Sequence, residues 1–156
     1  IEKLFKTFPG YFLKNEEILN QFMDNVSKSL KIGGKLVGTC LDGKKVFDTL
    51  QNRDSIEYDD VWKITKLYKN TEFPNSEKSL GYEIDIYIES IGISIKEYLV
   101  NFDYLASKAK KYNLELVETK NFSSLLTDKK YGSMSNMNEQ LKEYSFLNTT
   151  FVFQKI

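Results

Sequence analysis

The segment from Asn15 to Thr39 constrains the fold more than any other stretch. Leu19, Phe22, Val26 and Leu30 recur at the three- and four-residue spacing of an amphipathic helix. Asn15 is placed to cap it, and Glu16 and Glu17 occupy the first turn, where carboxylates oppose the positive end of the helix dipole. Lys31-Ile32-Gly33-Gly34 then stops the helix, since glycine readily takes the left-handed conformation of a helix end, and Lys35-Leu36-Val37-Gly38-Thr39 reads as a short buried strand. Helix, glycine turn and strand make half of a βαβ unit, so the chain is read as α/β. At 156 residues and 41% hydrophobic, it has the apolar material for the core of one ordinary domain.

The remaining pattern is consistent with that class. A second helix is predicted from Lys44 to about Asn52, with Val46, Phe47 and Leu50 on one face. Ile56 to Tyr68 reads as two strands joined by a turn at Asp59-Asp60, and Asn70 to Ser79, with Pro74, as a loop. Tyr82 to Ile88 alternates cleanly, with Ile84, Ile86 and Ile88 on one side. Asn101 can cap a helix running to Lys111, with Phe102, Leu105 and Ala109 turned inward. Leu114 to Glu118 and Phe151-Val152-Phe153 are predicted strands. The opening βα units of a doubly wound sheet are missing from this order, so the sheet is expected to be incomplete. Ile1-Glu2-Lys3-Leu4-Phe5 has neither an initiator Met nor a signal-peptide apolar region, and the chain is read as cut from something longer.

Charge and rare residues remove whole classes of chemistry. There is no histidine, which excludes imidazole acid–base catalysis, Ser-His-Asp and Cys-His machinery, and the usual zinc sites within this chain. Cys40, the only cysteine, cannot form an intramolecular disulfide, and an intracellular compartment is expected. Without an activating histidine it reads as a small buried residue. Twenty-two basic residues balance 22 acidic ones, against a binder held mainly by phosphate neutralisation. No stretch approaches the roughly 18 apolar residues of a membrane span.

Few motifs carry chemistry. Gly33-Gly34 with Gly38-Thr39 is no phosphate loop: no Lys-Ser/Thr follows, and the glycines precede a strand. Glu97, in Ile95-Lys96-Glu97-Tyr98-Leu99-Val100, lies between an apolar strand and an apolar helix, where a carboxylate is partly desolvated and must find donors. The guanine edge carrying N1–H and the exocyclic amine offers two parallel donors to such a group. The alternative is a surface glutamate paired with a lysine. Tyr11, Phe12, Tyr82, Tyr87, Tyr98 and Phe146 are candidates for base stacking or for the core. Lys44-Lys45, Lys108 with Lys110-Lys111, and Lys129-Lys130 either track phosphates or form solvated faces.

Four blocks in order resemble the C-terminal part of the messenger-RNA cap guanine-N7 methyltransferases, most closely the domain in capping enzymes of large DNA viruses. The first is Asn25-Val26, Leu30-Lys31 and Gly33-Gly34-Lys35-Leu36-Val37-Gly38-Thr39 with Asp42. The most specific is Tyr87-Ile88-Glu89-Ser90-Ile91-Gly92 leading to Lys96-Glu97-Tyr98-Leu99-Val100-Asn101-Phe102. Lys111-Tyr112-Asn113-Leu114 with Leu116-Val117-Glu118 and Phe122 follows, then Tyr144-Ser145-Phe146-Leu147-Asn148 with Phe151-Val152-Phe153.

The resemblance implies a class I, Rossmann-like fold using S-adenosylmethionine to methylate N7 of the cap guanine. Residues 1–54 would supply helix and strand units, 55–100 a strand-rich cap-binding insert, and 101–156 the C-terminal helix and sheet-closing strands. Glu97 would accept from the guanine N1–H and amine, Tyr11 would be the aromatic member of a His-Tyr pair beside the base, and Asn148 falls near a cap-contacting tyrosine of cellular members. The family's histidine falls at Gly10, and the glycine-rich cofactor loop is expected before Ile1. Methyl transfer to N7 is an in-line displacement by an available lone pair, so positioning and electrostatics suffice without a base or a metal. The implied partners are the capped 5′ end of mRNA and other capping-enzyme domains or a stimulatory subunit. A catalytically inert, partner-stimulating subunit is the rival reading.

Overall fold

The computed structural model describes residues 1–7, 10–125 and 138–156, and folds them around two four-stranded sheets. The first sheet has β1 (Lys3–Thr7), β2 (Lys35–Leu41), β8 (Asn148–Lys155) and β7 (Leu114–Asn121) in the order β1-β2-β8-β7. Only β1 and β2 are parallel; β8 runs antiparallel to both of its neighbours. The second sheet is an antiparallel meander of β3 (Ser55–Tyr58), β4 (Trp62–Lys66), β5 (Glu83–Ile88) and β6 (Ser94–Tyr98). It lies in the chain between α2 (Gly43–Thr49) and α3 (Phe102–Lys110).

One face of the first sheet is covered by α1 (Glu16–Ser29) and α3. Leu19, Phe22, Met23 and Val26 of α1 and Leu105 and Ala109 of α3 pack on Leu36, Cys40, Phe151 and Phe153. Register explains why these strand residues share a face: Leu36 lies opposite Phe153, and Gly38 opposite Phe151. The other face carries Val37, Val117 and Val152, and Val117 is 46% exposed. The second sheet packs Ile56, Trp62, Ile64, Ile84 and Ile86 against Val46 and Phe47 of α2 and Leu50, its C-cap. Phe47 stacks on Phe73 and Tyr68, with ring centroids 5.3 and 5.9 Å apart.

Caps fix the helix starts as their sequences predict. Asn15 accepts from the Ile18 N–H at 2.9 Å, and Gly33 takes the left-handed conformation at φ +79°. Asn101 is buried: its Oδ1 accepts from Tyr104 N–H, while its Nδ2 donates to the Pro74 carbonyl and to Asn75 Oδ1. It therefore ties the β4–β5 loop to the start of α3. Removing the cap and orphaning a carbonyl costs about 2–3 kcal/mol. We expect Asn101→Ala to lower the urea midpoint accordingly with an unchanged m-value.

Four elements depart from the sequence expectation. β1 was not signalled, since Lys3-Leu4-Phe5-Lys6-Thr7 lacks clear alternation; parallel pairing with β2 imposes it. Glu97 lies within strand β6 rather than in a strand-to-helix junction, because a glutamate on the same face as Ile95 conceals the alternation. The short helices α4 (Phe122–Leu125) and α5 (Glu139–Ser145) were also unexpected. Lys129-Lys130 lie outside the described residues.

Candidate functional site

Three junctions converge beside Glu97. Gly10 has φ +64°, and a Cβ there would lie 2.4 Å from the Tyr98 carbonyl oxygen and 2.9 Å from its nitrogen. A Cβ on Gly43, the first residue of α2, would lie 2.2 Å from the Val100 carbonyl oxygen. The two glycines let the 3-10 turn Tyr11–Leu13 and the β2–α2 junction press directly against the backbone just after Glu97. Asp42 caps α2 by accepting from Lys45 N–H, its own N–H donates to the Leu147 carbonyl, and Lys45 Nζ donates to the Phe146 carbonyl. That brings the connection from α5 to β8 against the end of β2.

Glu97 is half-buried on β6, opposite Ile84. Among the described residues it has no hydrogen bond and no ion pair, and burial alone pushes its carboxyl up to about 7. Two neighbours register its charge. The Cys40 thiol is raised first by burial, then by Asp42 and Glu97; the Tyr144 phenol is pushed up to about 12, first by burial and then by Glu97. Tyr144 packs on Trp62 with centroids 5.7 Å apart, and the Trp62 indole N–H donates to the Gln140 carbonyl at 2.7 Å. A desolvated carboxylate without a donor can accept two parallel N–H groups from a ligand. No group of histidine, cysteine or carboxylate side chains suited to a metal ion occurs among the described residues.

Asn148 opens β8 opposite Leu41, and its Nδ2 donates to the Tyr144 carbonyl at 3.0 Å. Through Tyr144 it belongs to the same region as Glu97. Tyr11 does not join them by any hydrogen bond among the described residues. Its ring is 54% exposed and sits edge-on to Phe12, along a groove lined by Leu4, Ile18, Phe22 and Val26. Of the other candidates, Tyr82 is a core residue whose hydroxyl donates to the Glu72 carbonyl, and Cys40 is buried. Lys108 is no phosphate-tracking lysine: it is buried and bonded to Glu16, joining α3 to α1. Tyr144 stands in the last block of the resemblance, and nothing in its sequence neighbourhood signals that its ring packs on Trp62.

Residues 8–151 match the family model described as the mRNA (guanine-N(7))-methyltransferase domain. A protein of Acanthamoeba polyphaga mimivirus named "Probable mRNA-capping enzyme" is 31% identical over 142 residues, spanning 83% of this chain and 12% of that protein. The mRNA cap guanine-N(7) methyltransferase 1 of Oryza sativa subsp. japonica is 31% identical over 115 residues, 72% of this chain and 31% of that protein. Among solved structures, an S-adenosylmethionine-dependent methyltransferase from Clostridium acetobutylicum superposes with a TM-score of 0.56 at 12% identity, covering 99% of this chain and 58% of that one. This last likeness is one of fold: the chain has the architecture of a class I methyltransferase. No helix among the described residues is long and apolar enough to cross a membrane.

Proposed function

Because this chain belongs to the mRNA (guanine-N7)-methyltransferase family, we propose that it is the guanine-reading part of an enzyme that methylates N7 of the mRNA cap. The observation that carries this reading is Glu97, a half-buried carboxylate with no donor of its own among the described residues. The N1–H and exocyclic amine of guanine supply the two donors it lacks. Positive charge grows on the purine as N7 is alkylated, and a fixed carboxylate on the opposite edge favours it. Asn148 would orient Tyr144 beside the base, and Tyr11 would meet the capped end from the turn that follows Gly10.

S-adenosylmethionine, the methyl donor, is named for the solved neighbour. The described residues do not fit it: none forms a glycine-rich loop between a strand and a helix, Gly33 and Gly34 precede a strand, and Gly10 and Gly43 are filled by backbone contact. The donor would be held by other parts of the polypeptide. In this reading residues 1–156 are the C-terminal portion of the methyltransferase domain, with 55–100 as the cap-binding insert. The preceding part would pair with the free edge of β1 and cover the Val37 and Val152 face. The capped 5′ end of mRNA is the substrate, and further capping domains or a stimulatory subunit are candidate partners.

The test is methyl transfer from labelled S-adenosylmethionine to GpppA-capped RNA by the full polypeptide, with the label mapped to N7. Transfer by the polypeptide alone is the expected result. Cap binding without transfer until a second subunit is added would replace this reading with the inert, stimulatory one, and no cap binding would overturn both.

A further inference from the structure

The chain that leaves β4 forms one wall of a recess that the reading of Glu97 does not use. A cavity of about 180 Å³ opens between it and the C-terminal end of α2, over Phe47 and Leu50. Its polar walls include Gln51, Asn52, Lys66, Tyr68, Lys69 and Asn70: two cations and no carboxylate, in a chain whose charges balance overall. We propose that this recess binds a phosphate group, with Lys66 and Lys69 opposing its charge and the Tyr68 hydroxyl donating to one of its oxygens.

Tyr68 is 8% exposed, and its hydroxyl is buried with no hydrogen-bond partner among the described residues. A buried hydroxyl left unpaired is unfavourable, so the group calls for an acceptor from outside the chain. The ring is fixed before any ligand arrives: it stacks on Phe47 with centroids 5.9 Å apart and lies 5.0 Å from the Tyr82 ring. Burial pushes the phenol up to about 12, so it stays a donor at neutral pH. Lys66 Nζ lies 5.9 Å from the Tyr68 ring centroid and reaches the Leu50 carbonyl only at 3.5 Å, the long limit of a hydrogen bond. Neither Lys66 nor Lys69 forms an ion pair among the described residues, whereas Lys63 and Lys96 of the same sheet are paired with Glu57 and Glu83. The Leu50 carbonyl, which would repel an anion, already accepts from Arg53 N–H as well as from Lys66. What remains is a set of donors and positive charge, matched by a ligand group made of acceptor oxygens.

A phosphate can come to the recess from two sources. One is a backbone phosphodiester of an RNA strand: Lys66 stands in the same cross-strand row as Glu97, with Ile84 between them, about 10 Å across the sheet. The other is a free phosphate or mononucleotide. Contacts to phosphate oxygens position a strand without reading its bases, so the site would accept RNA of any sequence.

Three probes given to the full polypeptide separate the sources: GpppA, a GpppA-capped RNA of about ten nucleotides, and inorganic phosphate. If the phosphate belongs to RNA, wild type binds the capped RNA about tenfold more tightly than GpppA, the value of one charge-assisted contact. Lys69→Gln and Tyr68→Phe then each abolish that advantage and leave GpppA binding unchanged. If it is a free phosphate, RNA length makes no difference, and inorganic phosphate raises the unfolding midpoint of wild type more than that of either variant. Tyr68→Phe alters no charge, and without ligand it should unfold at the wild-type midpoint or above, because it deletes an unpaired hydroxyl. The proposal is overturned if wild type shows neither response, or if either variant keeps the response that wild type shows. Retention by Tyr68→Phe alone would mark unselective attraction to surface charge. The site does not rest on Glu97: failure of wild type to bind GpppA would sink that reading and leave the phosphate response to decide this one.

Discussion

Glu97→Gln is expected to make the protein more stable at pH 8 while reducing cap methylation about a hundredfold or more. In the folded chain the carboxyl titrates at about 7, above its ordinary 4.5, because burial disfavours the charged form. Between those values the folded state holds a proton that the unfolded state has released, so stability falls as pH rises through this window. Full expression of such a shift is worth about 3 kcal/mol, and partial solvent access reduces it to about 1–3 kcal/mol. The glutamine variant escapes this penalty. Its advantage should be present at pH 8 and gone below pH 4.5, as read from urea midpoints across that range.

Function should move the other way. Two charge-assisted hydrogen bonds to guanine are lost, each worth about 1.5–3 kcal/mol, while affinity for S-adenosylmethionine stays near wild type. Wild-type cap affinity should itself fall as pH drops below about 7, because the protonated carboxyl no longer accepts from both donors. Undiminished turnover in Glu97→Gln or Glu97→Ala would sink the assignment. So would a stability difference independent of pH, which would make Glu97 an ordinary solvated side chain.

The second large effect is expected at position 10. Restoring the histidine that the family resemblance places there should damage the protein rather than complete its site. Gly10 has φ +64°, where a side chain costs about 1–2 kcal/mol, and its Cβ would meet the Tyr98 carbonyl oxygen at 2.4 Å. Relief requires the turn to leave β6, an overpacking cost of about 1–3 kcal/mol more. We therefore expect Gly10→His to destabilise the chain by about 3 kcal/mol and to weaken GpppA binding together with it. Gly43→Ala is a useful companion. Its φ is ordinary, and only the Val100 backbone at 2.2 Å opposes the added methyl, so its cost is overpacking alone. A Gly10→His variant that folds as well as wild type and binds the cap more tightly would show instead that position 10 is a vacated contact.

The sequence carried the helices with polar caps and the strands with clean alternation, because these signals are local. Asn15 and Asn101 cap as read, and Ile84 and Ile86 share a buried face. β1 was illegible because its strand is made by a partner thirty residues away. β6 was illegible for a different reason: Glu97 stands where the alternation calls for an apolar residue, so the break in pattern that marks the candidate site also hid the strand holding it. Glu97 itself was legible from that conflict. The use of Gly10 and Gly43 as places where backbones touch was not, since no composition or spacing signals it.

The position of β8 bears on how this molecule is made. The strand formed by residues 148–155 sits inside the first sheet, between β2 and β7, so those two strands have no common edge until it arrives. During synthesis β7 must wait, unzipped, for a partner that is translated after it. Pairing of β2 with β8 spans more than a hundred residues of chain, the kind of distant contact that slows folding. Asn148 is delivered by that same segment. Glu97 is therefore translated with its meander well before Asn148, and nascent chains cut off before residue 148 should hold the second sheet but an incomplete first one.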